Sequence, residues 1–198
     1  MAGRPRVGIL SLQGDVREHG RVLSELGAEV LLVRRPAELA GVDGLVIPGG
    51  ESTTIDKLAR AFGMQEPIRR VIAGGMPVFG TCAGLILLAD RLEDGIAGQQ
   101  TFGGLDVTVK RNAFGGQVES FETEIAVGGF AGPPVHATFI RAPAVTEVGP
   151  GARALAALDD GRVVAVEQGV LLGIAFHPEV SGELRFHRRF LDHVAARA

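Results

Sequence analysis

Several residue types are scarce in this sequence of 198 residues. Tryptophan and tyrosine are absent, and Cys82 is the single cysteine. One cysteine cannot form an intrachain disulfide, so nothing in the sequence demands an oxidising compartment. No apolar run approaches the roughly 20 residues of a membrane span, and the apolar core near the N-terminus has about six residues, too few for a signal peptide. We therefore expect a soluble cytoplasmic protein.

The sequence also has no large excess of positive or negative charge. The formal net charge is −3 and the isoelectric point is near 6.0, so electrostatics gives no reason to expect nucleic acid or a membrane as a partner. Stacking on bases would depend on ten phenylalanines alone. The length and the 46% hydrophobic fraction suit one globular domain covering residues 1–198.

The first half of the chain alternates short apolar runs with amphipathic segments. The apolar runs predict strands at 6–12, 29–34, 44–49 and 76–81, and the amphipathic segments predict helices at 15–27, 52–62, 64–73 and 83–90. Asp15 and Gly27 suit the N-cap and the end of the first helix. Continuous apolar strands that alternate with helices are typical of a parallel sheet covered on both faces. The prediction is an α/β fold with a doubly wound, mainly parallel sheet.

The second half has a different pattern. Strand-like segments occur at 105–111, 117–127, 135–142, 153–158 and 162–177, and a helical pattern covers 182–198. Asp160 and Gly161 form a strong hairpin-turn signal. This half is therefore predicted to add antiparallel strands to the sheet, and residues 91–104 are predicted to form an exposed loop.

The single cysteine lies in the pattern Gly80-Thr81-Cys82-Ala83-Gly84, between a predicted strand and a predicted helix. This G-x-C-x-G pattern is the thiol counterpart of the nucleophile elbow, a sharp turn whose strained backbone exposes the nucleophile and whose neighbours must be small. The helix N-terminus favours the thiolate, and the N–H of Ala83 would face a developing oxyanion. The alternative is a small buried hydrophobic residue.

A thiol nucleophile needs a base and a group that orients the base. Of five histidines, His177 alone ends an apolar strand, whereas His187 and His193 lie among arginines and are predicted to be solvated. Pro178 disfavours the helical conformation of its predecessor, so His177 and Glu179 should be extended and point to the same side. The alternative is a solvated strand end. One cysteine with scattered histidines gives no metal-ligand spacing, so no metal is expected.

A glycine-rich turn, PGGESTT, follows the third predicted strand. Gly49 and Gly50 would let backbone N–H groups approach a ligand closely, and Ser52 or Thr53 suits a helix N-cap. A phosphate cradle is disfavoured because the G-x-x-x-x-G-K-[ST] pattern is absent. We interpret Gly49 and Gly50 as oxyanion donors together with Ala83. The alternative is an ordinary turn between a strand and a helix.

With these motifs in place, the chain resembles the class I, or triad, glutamine amidotransferases. Within them it is similar to the glutaminase subunits of pyridoxal 5′-phosphate synthases, and the resemblance covers essentially the whole chain. It rests on SLQGDVREH (11–19), GGESTT (49–54), GTCAGLILLA (80–89), RNAFGGQVESFE (111–122), FIRAP (139–143) and AFHPE (175–179). The resemblance implies a flavodoxin-like amidotransferase fold.

The resemblance also implies a role for each matching residue. Cys82 would be the nucleophile, His177 the acid and base, and Glu179 the residue that orients His177. The implied glutamine contacts are Gly50, Glu51, Ser52, Arg111, Ile140 and Arg141. Free glutamine carries a carboxylate and an ammonium, so Arg111 and Arg141 are also plausible anion partners on chemical grounds.

The implied activity is hydrolysis of L-glutamine to L-glutamate and ammonia through a glutamyl thioester, with no cofactor. The implied partner is a separate (β/α)8-barrel synthase subunit that uses the ammonia to make pyridoxal 5′-phosphate. The first predicted helix, with Gln13 before it and Arg17 and Arg21 on it, is the candidate docking element. Two alternatives stay open: another enzyme, either a glutaminase that serves a different synthase or a thiol hydrolase with the same elbow, and a non-catalytic amidotransferase-like binding module.

Overall fold

A mixed β-sheet forms the centre of the fold. The computed structural model describes residues 3–114 and 120–197. The strands are β1 (Arg6–Leu10), β2 (Glu29–Val33), β3 (Gly44–Ile47), β4 (Val78–Thr81), β5 (Ala89–Glu93), β6 (Leu105–Lys110), β7 (Ser120–Ile125), β8 (Val135–Ile140), β9 (Ala144–Val148), β10 (Arg153–Ala157), β11 (Val163–Gln168) and β12 (Leu171–Ile174). The helices are α1 (Val16–Glu25), α2 (Ser52–Ala61), α3 (Gln65–Ala73), α4 (Ala83–Leu88), α5 (Pro178–Ser181) and α6 (Arg185–Arg197), with a 3-10 helix at Pro36–Gly41.

One part of the sheet is entirely parallel. Its strand order is β2-β1-β3-β4-β12, and β3, β4 and β12 are buried along their whole length. Helix α1 packs on β1 and β2, and α4 packs on β3, β4 and β12. This is the strand order of flavodoxin-like doubly wound sheets, with the last strand supplied from far along the chain. The predicted parallel sheet is confirmed.

The rest of the sheet is mostly antiparallel, as predicted. It continues from β12 in the order β11-β9-β6-β5, and β10 pairs with β11. Only the β5–β6 pair is parallel among these described strands. Asp160 and Gly161 lie in the turn between β10 and β11, where Gly161 has a φ of +86°. Strands β7 and β8 form a separate antiparallel pair.

Some predicted boundaries in the second half were wrong. Helix α4 ends at Leu88 and β5 follows at once, so the predicted loop 91–104 begins in a strand. The same segment contains Phe102, which is 5% exposed and donates its N–H to the carbonyl of Leu87 at 2.6 Å. The predicted strand 162–177 is two strands joined by a turn at Gly169.

Two further differences concern short elements. Strand β9 was missed because its five residues, AVTEV, contain no apolar run. The predicted strand 117–127 is observed from residue 120 as β7, and its residues 117–119 lie outside the described residues.

The parallel strand order positions the candidate site. Strands β1, β3, β4 and β12 are neighbours and parallel, so their carboxyl ends lie at the same edge of the sheet. Ligands in doubly wound folds bind at this edge, next to the point where the strand order reverses. The segments 11–15, 48–52, 82–84 and 175–179 are therefore brought together.

Within residues 3–114 and 120–197, no helix is long and apolar enough to cross a membrane. The cytoplasmic location expected from the sequence stays a prediction.

Candidate active site

Cys82 occupies a sharp turn between β4 and α4. Its φ of +48° lies in a region that L-residues rarely adopt, and its N–H is held by the carbonyl of Ile174 at 2.8 Å. A Cβ added at Gly80 would lie 2.5 Å from the carbonyl carbon of Gly84, and one added at Gly84 would collide with the carbonyl oxygen of Ile47. The strained elbow with obligatory small neighbours is therefore present, as the sequence predicted.

His177 follows β12 and contacts Glu179. The imidazole Nδ1 lies 2.8 Å from Glu179 Oε1, and both side chains are buried. The contact was predicted, but the extended backbone predicted at Glu179 was wrong. Pro178 begins helix α5, so Glu179 lies in a helical turn, because the fixed φ of proline suits the first position of a helix.

The imidazole of His177 faces three acidic groups. Besides Glu179, these are Asp15, whose Oδ2 lies 3.4 Å from Nδ1, and the thiol of Cys82. Because Nδ1 faces the two carboxylates, Nε2 is the ring nitrogen left for Cys82. Burial disfavours the charged ring, but the hydrogen bonds to Asp15, Cys82 and Glu179 outweigh it and raise the pKa of His177 to about 12. The site therefore favours the imidazolium form of His177.

Burial acts in the opposite sense on Glu179. It raises the pKa of this carboxyl, and the hydrogen bond from His177 opposes that rise. We assign the charged form to both partners, since Nδ1–H donates directly to Oε1 and each charge stabilises the other.

Asp15 was predicted only as the N-cap of the first helix. It occupies that position without a side-chain cap bond, and its carboxylate faces His177 instead. Its N–H also donates to the carbonyl of Gly49 at 3.1 Å. The sequence signal for a place in the site was the position of Asp15 after β1, at the same sheet edge as the other site residues.

Asp15, His177 and Glu179 could also hold a metal ion, since their potential ligand atoms lie within 4.8 Å of one another. We assign these contacts to hydrogen bonding. The histidine atom that faces both carboxylates is Nδ1, which carries the proton donated to Glu179 and so offers no lone pair.

The glycine turn after β3 lies against this group. A Cβ at Gly49 would lie 2.5 Å from His177 Cε1, and one at Gly50, whose φ is +151°, would lie 2.5 Å from Gln13 Oε1. Gln13 Oε1 also accepts the N–H of Glu51 at 2.8 Å. The two glycines are thus required by close approach of the turn to the site, which disfavours an ordinary turn. The N–H of Ala83, the first residue of α4, has no intrahelical partner and lies beside Cys82.

The predicted helix cap in this turn was wrong. Glu51, not Ser52 or Thr53, is the N-cap of α2, and its carboxylate accepts the N–H groups of Thr53 and Thr54 at 3.2 and 2.7 Å. A carboxylate at a helix N-terminus is favoured by the helix dipole. The side chain of Glu51 is thereby fixed beside the cleft.

A cleft of about 390 Å³ opens over Cys82 and His177. Its lining includes every residue that the resemblance implied as a glutamine contact: Gly50, Glu51, Ser52, Arg111, Ile140 and Arg141. Asp15, Ile86 and Asn112 also line it. The Cys82 thiol lies 3.9 Å from the carbonyl oxygen of Ile140.

Arg111 is held at the cleft wall by two acceptors. Its guanidinium donates to Glu51 Oε1 at 3.0 Å and to Gln99 Oε1 at 2.9 Å. Sequence reasoning missed Gln99, because it lies in the segment that was predicted to be an exposed loop.

A larger cavity of about 550 Å³ lies between β7 and the β10–β11 hairpin. Among the described residues, its lining contains neither cysteine nor histidine. We therefore place the candidate chemistry in the smaller cleft.

A pair of buried histidines lies behind Glu179. His19 Nδ1 is 2.9 Å from His187 Nε2, and His19 Nε2 is 3.0 Å from Thr81 Oγ1 and 3.5 Å from Glu179 Oε1. The prediction that His187 is solvated was wrong, since it is fully buried. Burial lowers the pKa of His19 well below its usual value and that of His187 to about 4. His187 is one of the buried residues of α6, three residues before Phe190 and seven before Val194. This helical spacing was the sequence signal for its burial.

Comparison with known proteins identifies the family. The model of the SNO glutamine amidotransferase family matches residues 9–196. The chain belongs to this family. Pyridoxal 5′-phosphate synthase subunit PdxT of Clavibacter sepedonicus is 64% identical over 190 residues, which are 96% of this chain and 91% of that protein. PdxT of Leifsonia xyli subsp. xyli is 64% identical over 197 residues, the full length of both.

Solved structures agree with the amidotransferase fold. A glutamine amidotransferase crystal structure superposes with a TM-score of 0.88 at 46% identity, over 96% of this chain and 98% of that one. PurLQS from Thermotoga maritima has a TM-score of 0.71 at 15% identity, over 97% of this chain and 100% of that one, and shares the fold alone. The predicted family and its flavodoxin-like fold are confirmed.

Proposed function

We propose that this amidotransferase hydrolyses L-glutamine to L-glutamate and ammonia, with Cys82, His177 and Glu179 as its catalytic triad. One observation carries the proposal: a cysteine in a strained strand-to-helix turn contacts a histidine whose other ring nitrogen lies 2.8 Å from a buried glutamate. This is the nucleophile, base and orienting group that thiol acyl transfer requires.

The reaction follows from these positions. The Cys82 thiolate attacks the side-chain amide carbon of glutamine, and N–H groups of Ala83 and of the Gly49-Gly50 turn stabilise the oxyanion. His177 donates its proton to the departing nitrogen, which leaves as ammonia and leaves a glutamyl thioester on Cys82. His177, now neutral, removes a proton from water, and the resulting attack releases glutamate and restores the thiolate. Glu179 holds the ring orientation through both steps.

The cleft suits a free amino acid. The guanidinium of Arg111, only 15% exposed, offers a bidentate donor for the α-carboxylate of glutamine, and Arg141 lines the same cleft. Glu51 and the carbonyl of Ile140 are acceptors for the α-ammonium. Gly50 and Ser52 complete the set of proposed contacts.

We further propose that the ammonia passes to a (β/α)8-barrel synthase subunit for pyridoxal 5′-phosphate synthesis. The relatives at 64% identity carry the name of a pyridoxal 5′-phosphate synthase subunit, which supports this partner. Hydrolysis by the triad needs no cofactor. Helix α1 is the proposed docking element, because Arg17 is exposed on it and Arg21 donates to the carbonyl of Glu179 at 3.3 Å.

The first experiment measures ammonia release from glutamine, with and without the synthase subunit. Cys82→Ala and His177→Asn should each lower kcat by at least about 10³-fold, while His136→Asn, at a half-exposed histidine, should not. Stimulation by the synthase supports the partner. Turnover that is the same with and without the synthase supports a different partner. No turnover in either condition supports the binding-module alternative. Full turnover by the Cys82→Ala variant excludes the mechanism.

Docking has a separate test. Arg17→Glu and Arg21→Glu should weaken synthase binding, measured by isothermal titration calorimetry, by about tenfold each, because charged interface groups steer and orient association. Arg70→Glu on α3, also exposed, is the matched charge reversal and should bind normally. Unchanged affinity in the α1 variants would place the docking surface elsewhere.

A further inference from the structure

Gln99 joins two walls of the cleft through its side-chain amide. Its Oε1 accepts from Arg111 Nη1 at 2.9 Å and from the N–H of Ile96 at 3.3 Å. Its Nε2 donates to Ser52 Oγ at 3.0 Å. One side chain, outside the triad and outside the implied glutamine contacts, therefore touches two residues that line the site from different elements.

The orientation of this amide is fixed by its partners. Arg111 and the N–H of Ile96 are donors only, so they require the amide oxygen. The amide nitrogen must then face Ser52, whose hydroxyl oxygen accepts its proton. A hydroxyl that accepts from Gln99 keeps its own proton to donate elsewhere, and Ser52 lines the cleft. Gln99 thus sets Ser52 as a hydrogen-bond donor toward the cleft.

Gln99 also completes the support of Arg111. With Glu51 on Nη2 and Gln99 on Nη1, the guanidinium is held from two sides. A guanidinium held in place loses less conformational entropy when it binds a carboxylate than a free one does. The amide and the Glu51 carboxylate together therefore prepare Arg111 for an anionic group.

The segment that carries Gln99 is anchored by the three residues that follow it. The N–H of Gln100 donates to Asp56 Oδ2 at 3.2 Å, Asp56 being 1% exposed. Arg69 donates to the carbonyl of Thr101 at 2.7 Å, and Phe102 is buried in the core. The backbone that carries Gln99 is therefore held in place, and its side chain links Ser52 to Arg111 in a fixed geometry.

We propose that Gln99 is a positioning residue that sets the affinity of the site for the carboxylate and amide of its amino-acid substrate. The proposal rests on the proposed glutaminase function. Gln99 contacts neither Cys82 nor His177 in the described contacts, so its loss should raise KM and leave the chemical step unchanged.

The test compares three variants in the full chain with the synthase subunit present. Gln99→Leu removes the hydrogen bonds to Arg111 and Ser52 and should raise KM for glutamine about tenfold or more, with kcat within about twofold. Gln99→Glu still accepts from Arg111 but cannot donate to Ser52, so its KM should rise less. Gln100→Leu, next in sequence and facing Gln65, is the matched control and should keep the wild-type KM.

A second readout separates positioning from damage to the fold. A diazoketone analogue of glutamine should alkylate Cys82 more slowly in Gln99→Leu by the same factor as KM rises. Iodoacetamide, which needs no amino-acid site, should alkylate it at the wild-type rate. Equal slowing by both reagents, or an unchanged KM, overturns the proposal. A wild-type protein that does not hydrolyse glutamine refutes the proposed function itself, a result distinct from an active wild type with a normal Gln99→Leu variant.

Discussion

Asp15→Asn tests whether two carboxylates share the imidazole of His177. The Asp15 and His177 charges lie 3.4 Å apart, and at an effective dielectric constant of about 20 their attraction is about 5 kcal/mol. The Asp15 side chain is 37% exposed, so solvent screening reduces this to about 1.5 to 3 kcal/mol. At about 1.4 kcal/mol per pKa unit, the variant should lower the pKa of His177 by about 1 to 2 units.

The sign follows from the groups that face His177. Asp15, Cys82 and Glu179 raise its pKa above the usual value, and His19 lies behind Glu179 in its neutral form. Removing one anion disfavours the imidazolium, so the ring loses its proton at lower pH. In the proposed mechanism the imidazolium protonates the departing nitrogen, so the alkaline limb of kcat/KM should move down by the same 1 to 2 units.

The direct assay is an NMR titration of ¹³Cε1-labelled histidine from pH 7 to 12.5, with His177 assigned by the signal missing from His177→Asn. Circular dichroism at each pH checks that the fold persists. Glu29→Gln removes an equal charge from an exposed position and should leave the His177 curve unchanged. Coincident curves for Asp15→Asn and wild type would refute the shared-carboxylate reasoning.

Two predictions concern stability. Gly84→Ala should lower Tm by about 3 to 10 °C, because its Cβ would collide with the Ile47 carbonyl and overpacking costs about 1 to 3 kcal/mol. Gly41→Ala, whose Cβ would have no neighbour within 4 Å, is the control in the same thermal melt. Equal melting temperatures for the two variants would contradict the elbow packing. His187 has a pKa of about 4 in the fold, so below pH 6.5 the unfolded chain binds more protons and stability falls. Between pH 7 and 5, His187→Phe should lose about 2 kcal/mol less than wild type in urea unfolding, and parallel pH dependence would place His187 in contact with water.

The sequence predicted the parallel half of the fold because its signals are local. Apolar runs, cap residues and small neighbours of Cys82 each act within a few residues, and the strained turn with a φ of +48° follows from them. The meeting of Cys82 with His177 was also predictable, since both follow parallel strands and such ends share one edge. The roles assigned to these residues remain proposals.

The wrong or missing predictions concern residues whose conformation and burial depend on tertiary contacts. Pro178 was interpreted as a residue that keeps its predecessor extended; His177 is indeed non-helical, with φ −116° and ψ +81°, but Pro178 starts helix α5, which contains Glu179. His187 was placed in water by its arginine neighbours, yet it packs edge-on against Phe79 with ring centroids 5.2 Å apart. Gln99 carries no motif, and only the folded chain brings it to Ser52 and Arg111.

The segment from the end of β1 through α1 contacts the parts of the site on which the proposed mechanism depends. Gln13 holds the glycine turn through the N–H of Glu51, and Asp15 joins that turn to His177. His19 lies behind Glu179, and Arg21 holds its carbonyl. A protein that binds the outer face of α1 would therefore act on the proposed oxyanion turn and the proposed triad together. A change of about 1.4 kcal/mol in the activation free energy changes a rate tenfold. Docking on α1 could therefore couple glutamine hydrolysis to the presence of the synthase without any contact with the substrate.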